Sequence, residues 1–85
     1  MKEFSYVIRD EDGIHARPAG MLVKKMQEFS SVVSLKNGDK SADGKKLFQV
    51  MKLGAKCNDA ITVAADGPDE DGAIAAAKAI LEENL

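Results

Sequence analysis

His15 is the only histidine in 85 residues, and it stands in the run DGIHARPAG, residues 12 to 20. The helical spacing of apolar residues starts at Ala16, so His15 falls at an N-cap. First-turn amides of a helix have no internal acceptor and point back past the cap. The helix dipole adds partial positive charge there. Such an end suits phosphate or carboxylate. Arg17 adds a permanent cation with a planar donor fork that fits phosphate oxygens. Pro18 suits the first turn, where a missing N–H costs no helical bond and φ is already set. Gly13 lets the chain turn sharply into the helix. An imidazole nitrogen can attack phosphorus and hold the group covalently. The chemistry these residues suggest is phosphorylation of a histidine. The plainer reading is that His15 caps a helix and Arg17 is a solvated surface residue. On spacing alone the two readings stand level.

Elements must hold these residues in place. Phe4, Tyr6 and Ile8 alternate with Ser5, Val7 and Arg9, a strand with one buried face. Ala19, Leu22, Val23, Met26 and Phe29 form one stripe of an amphipathic helix. A second strand is predicted over 31–36. Asn37-Gly38 favours a two-residue hairpin, whose central positions need positive φ. The third strand then runs over 39–42. A short helix over 46–53 is stopped by Gly54. Ile61, Val63 and Ala65 alternate as a fourth strand, ended by Gly67-Pro68. Asp69 is expected to N-cap the last helix, with Glu70 and Asp71 favourable against its dipole. Ile74, Ala77 and Leu81 give that helix its buried stripe. The order βαββαβα predicts an α+β fold, a two-layer open-faced sandwich. Its four-stranded antiparallel sheet would carry three helices on one face and polar residues on the other. Residues 1–85 read as a single domain.

Composition narrows the function. Net charge is −2, which argues against a nucleic-acid binder working through a broad basic field. No apolar run is long enough for membrane insertion. The N-terminal MKEFSYVIRD is not a signal sequence. One cysteine, Cys57, cannot form an intrachain disulfide and suits a reducing cytoplasm. One histidine and one cysteine are too few for a dedicated zinc site, and no metal or cofactor is expected. Asp10, Glu11 and Asp12 read as solvated loop acids.

A second feature concerns partners. Met21 lies off the buried stripe of the first helix, beside Arg17 and Gly20. In KKLFQVMKLG the apolar residues run nearly all round a two-turn helix. Val50 and Leu53 are expected to be buried, which leaves Leu47, Phe48 and Met51 partly exposed. An exposed apolar cluster on a small domain marks a partner surface.

GIHARPAG, the element order and KKLFQVMKLGAKCNDAITVAADGPDE closely resemble the HPr family, the histidine-containing phosphocarriers of the phosphoenolpyruvate-dependent sugar phosphotransferase system. The resemblance covers essentially the whole chain. It implies that His15 is the phosphoryl acceptor, through Nδ1, and that Arg17 assists it. It implies that the Ala16 and Arg17 amides help hold the group. Enzyme I would be the donor, and the A components of sugar permeases the acceptors. Both would dock on Met21, Leu47, Phe48 and Met51, with a basic fringe of Arg17, Lys24 and Lys45. The protein would be a monomeric cytoplasmic carrier and not an enzyme. One position departs from the family. Where many members carry a regulatory serine, this chain has Lys46. Lysine has no hydroxyl to phosphorylate and supplies no side-chain N-cap; Asp43 is placed to cap instead. Two alternatives remain: a paralogue serving a nitrogen-related or dihydroxyacetone kinase relay, and a non-catalytic interaction module.

Overall fold

Alternating apolar side chains and two helical stripes produce the expected order in the computed structural model, which describes all 85 residues. The elements are β1 (Lys2–Val7), α1 (Ala16–Met26), β2 (Val32–Asn37), β3 (Lys40–Asp43), α2 (Leu47–Lys52), β4 (Ala60–Asp66) and α3 (Glu70–Asn84). The strands lie in the order β1-β4-β2-β3, and every neighbouring pair is antiparallel. Phe4 faces Val63 across β1 and β4, and Leu35 faces Val63 across β2 and β4. The side-chain period of two therefore puts all three on one face.

That face and the helices enclose the core. Leu35, Ile61 and Val63 from the sheet are fully buried, as are Met26 from α1, Val50 from α2 and Leu81 from α3. Each such side chain contributes about 1.5–3 kcal/mol by leaving water. The other face stays open, with Ser5 and Thr62 hydroxyls 3.3 Å apart across β1 and β4.

Four details differ from the sequence expectation. The hairpin pairs Asn37 with Lys40, so Gly38 and Asp39 are the central turn residues rather than Asn37 and Gly38. Only Gly38 has positive φ there, +62°, the pattern of a turn with glycine first. Helix α1 ends at Met26, so Phe29 packs half-buried from the segment beyond it. In α3 the buried stripe is Ala73, Ala77 and Leu81, and Ile74 is only partly buried. Asp69 occupies the N-cap of α3 but makes no side-chain cap bond. Its backbone, at φ −115° and ψ 28°, departs from the extended geometry of a capping residue. The carboxylate accepts instead from the Ser30 amide (2.8 Å), the Ser31 amide (2.9 Å) and the buried Ser31 hydroxyl.

Candidate functional site

The loop between β1 and α1 is fastened at both ends. The Leu85 carbonyl oxygen accepts from the Arg9 amide (2.6 Å) and the Asp10 amide (3.0 Å), which ties the loop to the end of α3. The Ile14 amide donates to the Ala55 carbonyl at 3.0 Å, which ties it to the α2–β4 connection. Gly13 turns between these anchors at φ +65°. A Cβ there would collide with the Ala55 carbonyl oxygen. Glycine is required both for the dihedral and for the close approach.

His15 is the N-cap of α1, with extended backbone (φ −118°, ψ 175°) and no side-chain cap bond. Its carbonyl accepts the first helical bond, from the Ala19 amide at 3.0 Å. Pro18 has no amide proton to offer. The amides of Ala16 and Arg17 consequently have no acceptor in the chain, as a helix start requires. The imidazole is half-buried beside them. Arg17 is exposed and pairs with no carboxylate; its Nη1 lies 3.7 Å from the Met21 sulfur. Two free amides thus share the end of the helix that carries the ring, and the Arg17 guanidinium, without a carboxylate partner, lies one turn along beside Met21. Such an end can hold an anion with several oxygens.

Asp10 is the residue that sequence reasoning missed. It is half-buried rather than simply solvated. Its Oδ2 lies 3.4 Å from His15 Nε2, and its Oδ1 accepts the Asp12 amide at 2.8 Å. The Asp12 amide, and then the His15 ring, hold the Asp10 carboxyl below the usual carboxylate range. The signal available was the DEDG turn, since aspartate readily accepts from the amide two residues on. Asp10, Asp12 and His15 bring one ligand atom each within 4.8 Å of one another. Both Asp10 oxygens there are already spent, on an amide and on the ring. Cys57 is half-buried with its sulfur 3.7 Å from the Arg9 carbonyl.

The apolar cluster falls where the helical pattern put it. Phe48 is 80% exposed, Met21 42% and Met51 37%. Leu47 is half-buried against the core, while Val50 and Leu53 lie beneath. Lys24 is exposed. Lys45 differs: its ammonium donates to the Phe29 carbonyl at 2.6 Å and fastens the segment after α1. Lys46 is the exposed N-cap of α2 and makes no side-chain cap bond. Asp43 and Gln49 close this helix start. The Asp43 carboxylate accepts the Lys45 amide (2.9 Å), and Gln49 Oε1 accepts the Asp43 amide (2.9 Å).

Known proteins match this arrangement. The family model described as PTS HPr component phosphorylation site fits residues 2–83. The phosphocarrier protein HPr of Mycoplasma genitalium is 45% identical over 99% of this chain and 97% of its own length. The HPr of Mycoplasma capricolum is 41% identical over 92% of this chain and 88% of its own. A solved histidine-containing phosphocarrier protein from Mycoplasma overlays with a TM-score of 0.94 at 38% identity, covering 96% of this chain and 93% of that one. An HPr structure from Thermoanaerobacter tengcongensis overlays at 0.92 with 32% identity, covering 98% and 93%. A structure of HPr from the same organism, described as a dimer, overlays at 0.78 with 32% identity, covering 98% and 95%. From the first strand to the last helix, then, the chain belongs to the HPr family of phosphotransferase-system phosphocarriers.

Proposed function

We propose that His15 accepts a phosphoryl group from Enzyme I, charged by phosphoenolpyruvate, and passes it to sugar-permease A components. One observation carries this reading: a half-buried imidazole stands at a helix start beside two unpaired amides, and Arg17 of the same first turn has no carboxylate partner. The imidazole supplies the nucleophile. Its lone pair forms the new nitrogen–phosphorus bond as the donor's bond to phosphorus breaks, and that electron pair leaves with the donor. The Ala16 and Arg17 amides and the Arg17 side chain meet the arriving charge. The protein itself turns over no small molecule; it is a cytoplasmic carrier that cycles between partners. It works as a single copy, because ring, amides and guanidinium all come from one chain. The partners dock on Met21, Leu47, Phe48 and Met51 with Arg17 and Lys24 at the edge. Lys45 contributes to this fringe chiefly through the segment it fastens. Lys46 offers no hydroxyl, so no serine kinase acts at that position.

The test is incubation with Enzyme I and labelled phosphoenolpyruvate. Acid-labile label on the wild-type chain, absent from His15→Ala, is the expected result. Label that survives His15→Ala overturns the proposal. Transfer rates to sugar-specific and nitrogen-specific acceptors then separate the sugar branch from a regulatory relay.

A further inference from the structure

Asp10 is held with unusual completeness for a loop acid. Its amide donates to Leu85, its carbonyl accepts the Gly13 amide at 2.9 Å, and its Oδ1 accepts the Asp12 amide. Only Oδ2 is left, and it faces His15 Nε2 at 3.4 Å. Main chain and side chain together make a fixed acceptor aimed at one ring nitrogen. We infer that Asp10 is a positioning residue that selects the His15 tautomer and so directs phosphoryl transfer to Nδ1.

The reason lies in the donor inventory. A carboxylate has acceptors only, so a hydrogen bond to it requires Nε2 to carry the proton. A neutral ring protonated at Nε2 has its lone pair on Nδ1. That is the nitrogen left to react. When Nδ1 bonds to phosphorus, the donor's bond to phosphorus breaks and the donor keeps the electron pair. No proton moves, and the His15 ring retains its Nε2–H. The ring has become a formal cation, and Asp10 is the anion beside it. The 3.4 Å contact of the unmodified ring is long and should tighten as that charge appears. When the group leaves for an acceptor, the electron pair returns to Nδ1 and the ring is neutral again. Glu11 and Asp12, both exposed, and Arg17, without a carboxylate partner, are the other charged groups between Asp10 and the first turn of α1. Asp12 fixes Asp10 through its amide, and Arg17 faces the incoming phosphate.

This inference rests on the carrier reading, and two variants separate them. Asp10→Ala removes the acceptor. Asp10→Asn can keep the Asp12 amide bond through its oxygen, which points its NH2 at Nε2. That group donates, so it demands a lone pair on Nε2 and places the proton on Nδ1. Nitrogen-15 spectra of the neutral ring at alkaline pH read the tautomer without any phosphate. The wild type should show the Nε2–H form, Asp10→Ala a mixture, and Asp10→Asn the largest share of Nδ1–H. Labelling by Enzyme I and phosphoenolpyruvate should slow about three- to tenfold in Asp10→Ala and further in Asp10→Asn. A merely structural role gives the opposite order, because Asn preserves the turn that Ala loses. Asn as fast as wild type, or a wild-type ring with the tautomer mixture of Asp10→Ala, overturns the inference. If the tautomers shift as expected but none of the three proteins is labelled, the positioning role stands and the carrier reading falls. If all three are labelled alike, the carrier reading stands and the positioning role falls.

Discussion

Two residues that flank His15 act on different quantities. Gly13 holds φ +65° in a space that a Cβ would share with the Ala55 carbonyl. Gly13→Ala therefore meets a left-handed backbone penalty and a clash together. The expected loss is about 2 kcal/mol or more, seen as a lower urea midpoint at unchanged slope. The Arg17 side chain makes no ion pair, and its one hydrogen bond is the 3.7 Å contact of Nη1 with the Met21 sulfur. Arg17→Ala should leave the urea midpoint where it is. Labelling of His15 should slow about tenfold to a hundredfold, the scale of removing one preorganised donor from developing charge. Arg17→Lys should recover only part of that rate, since an ammonium keeps the charge and loses the planar fork. An Arg17→Ala protein that unfolds, or transfers at the wild-type rate, contradicts the assignment.

At the scale of elements, the start of α3 and the α1–β2 connection are joined by a single carboxylate. The Ser31 hydroxyl, then the Ser30 amide, keep the Asp69 carboxyl below its ordinary range, and the Ser31 amide adds to this. The folded state thus binds a proton at Asp69 less readily than the unfolded chain does. Stability from this link is complete above the ordinary aspartate range and is lost as pH falls through the folded value. Urea midpoints at neutral pH and near about pH 3 should differ less in Asp69→Asn than in the wild type, and the variant should be the weaker at neutral pH. The existence of this helix was legible from Ala77 and Leu81, because burial obeys the helical period. The role of Asp69 was not, because three donors from 38 and 39 residues away outbid its own helix. The hairpin slipped for a similar reason. Asn37 has φ below zero, and its side chain donates to the Leu53 carbonyl at 3.0 Å, which keeps it in β2 and passes the turn to Gly38-Asp39. The buried Val50 and exposed Phe48 were legible because a two-turn helix has only one side against a sheet. The placement of His15 and Arg17 at a helix start was legible because that is a local feature. Asp10 was not, since nothing in a run of three acids says which one the fold anchors.

Over the whole molecule, charge is segregated even though the net is only −2. Helices α1 and α2 contain no acid, and with the two residues before α2 they carry Arg17, Lys24, Lys25, Lys45, Lys46 and Lys52. Residues 66 to 85 hold Asp66, Asp69, Glu70, Asp71, Glu82 and Glu83 against Lys78 alone. The cationic side is also the side that shows Met21, Phe48 and Met51. Long-range attraction and short-range burial are therefore available at one surface, and they govern different rate constants. Attraction would bring an acidic partner in and is screened by salt. Apolar contact holds it once it has arrived. The association rate with the proposed donor, Enzyme I, should fall by roughly an order of magnitude between about 20 mM and 0.5 M salt, with dissociation little changed. Lys24→Glu should weaken that salt dependence. Phe48→Ala should leave it intact and speed dissociation by about tenfold or more, a centrally placed aromatic being the costliest contact to lose. Because Phe48 is 80% exposed in the free protein, its removal should not lower the urea midpoint. Stopped-flow association at several salt concentrations measures both rates. A Phe48→Ala protein that differs from wild type only in its association rate would mean that partners do not bury this face.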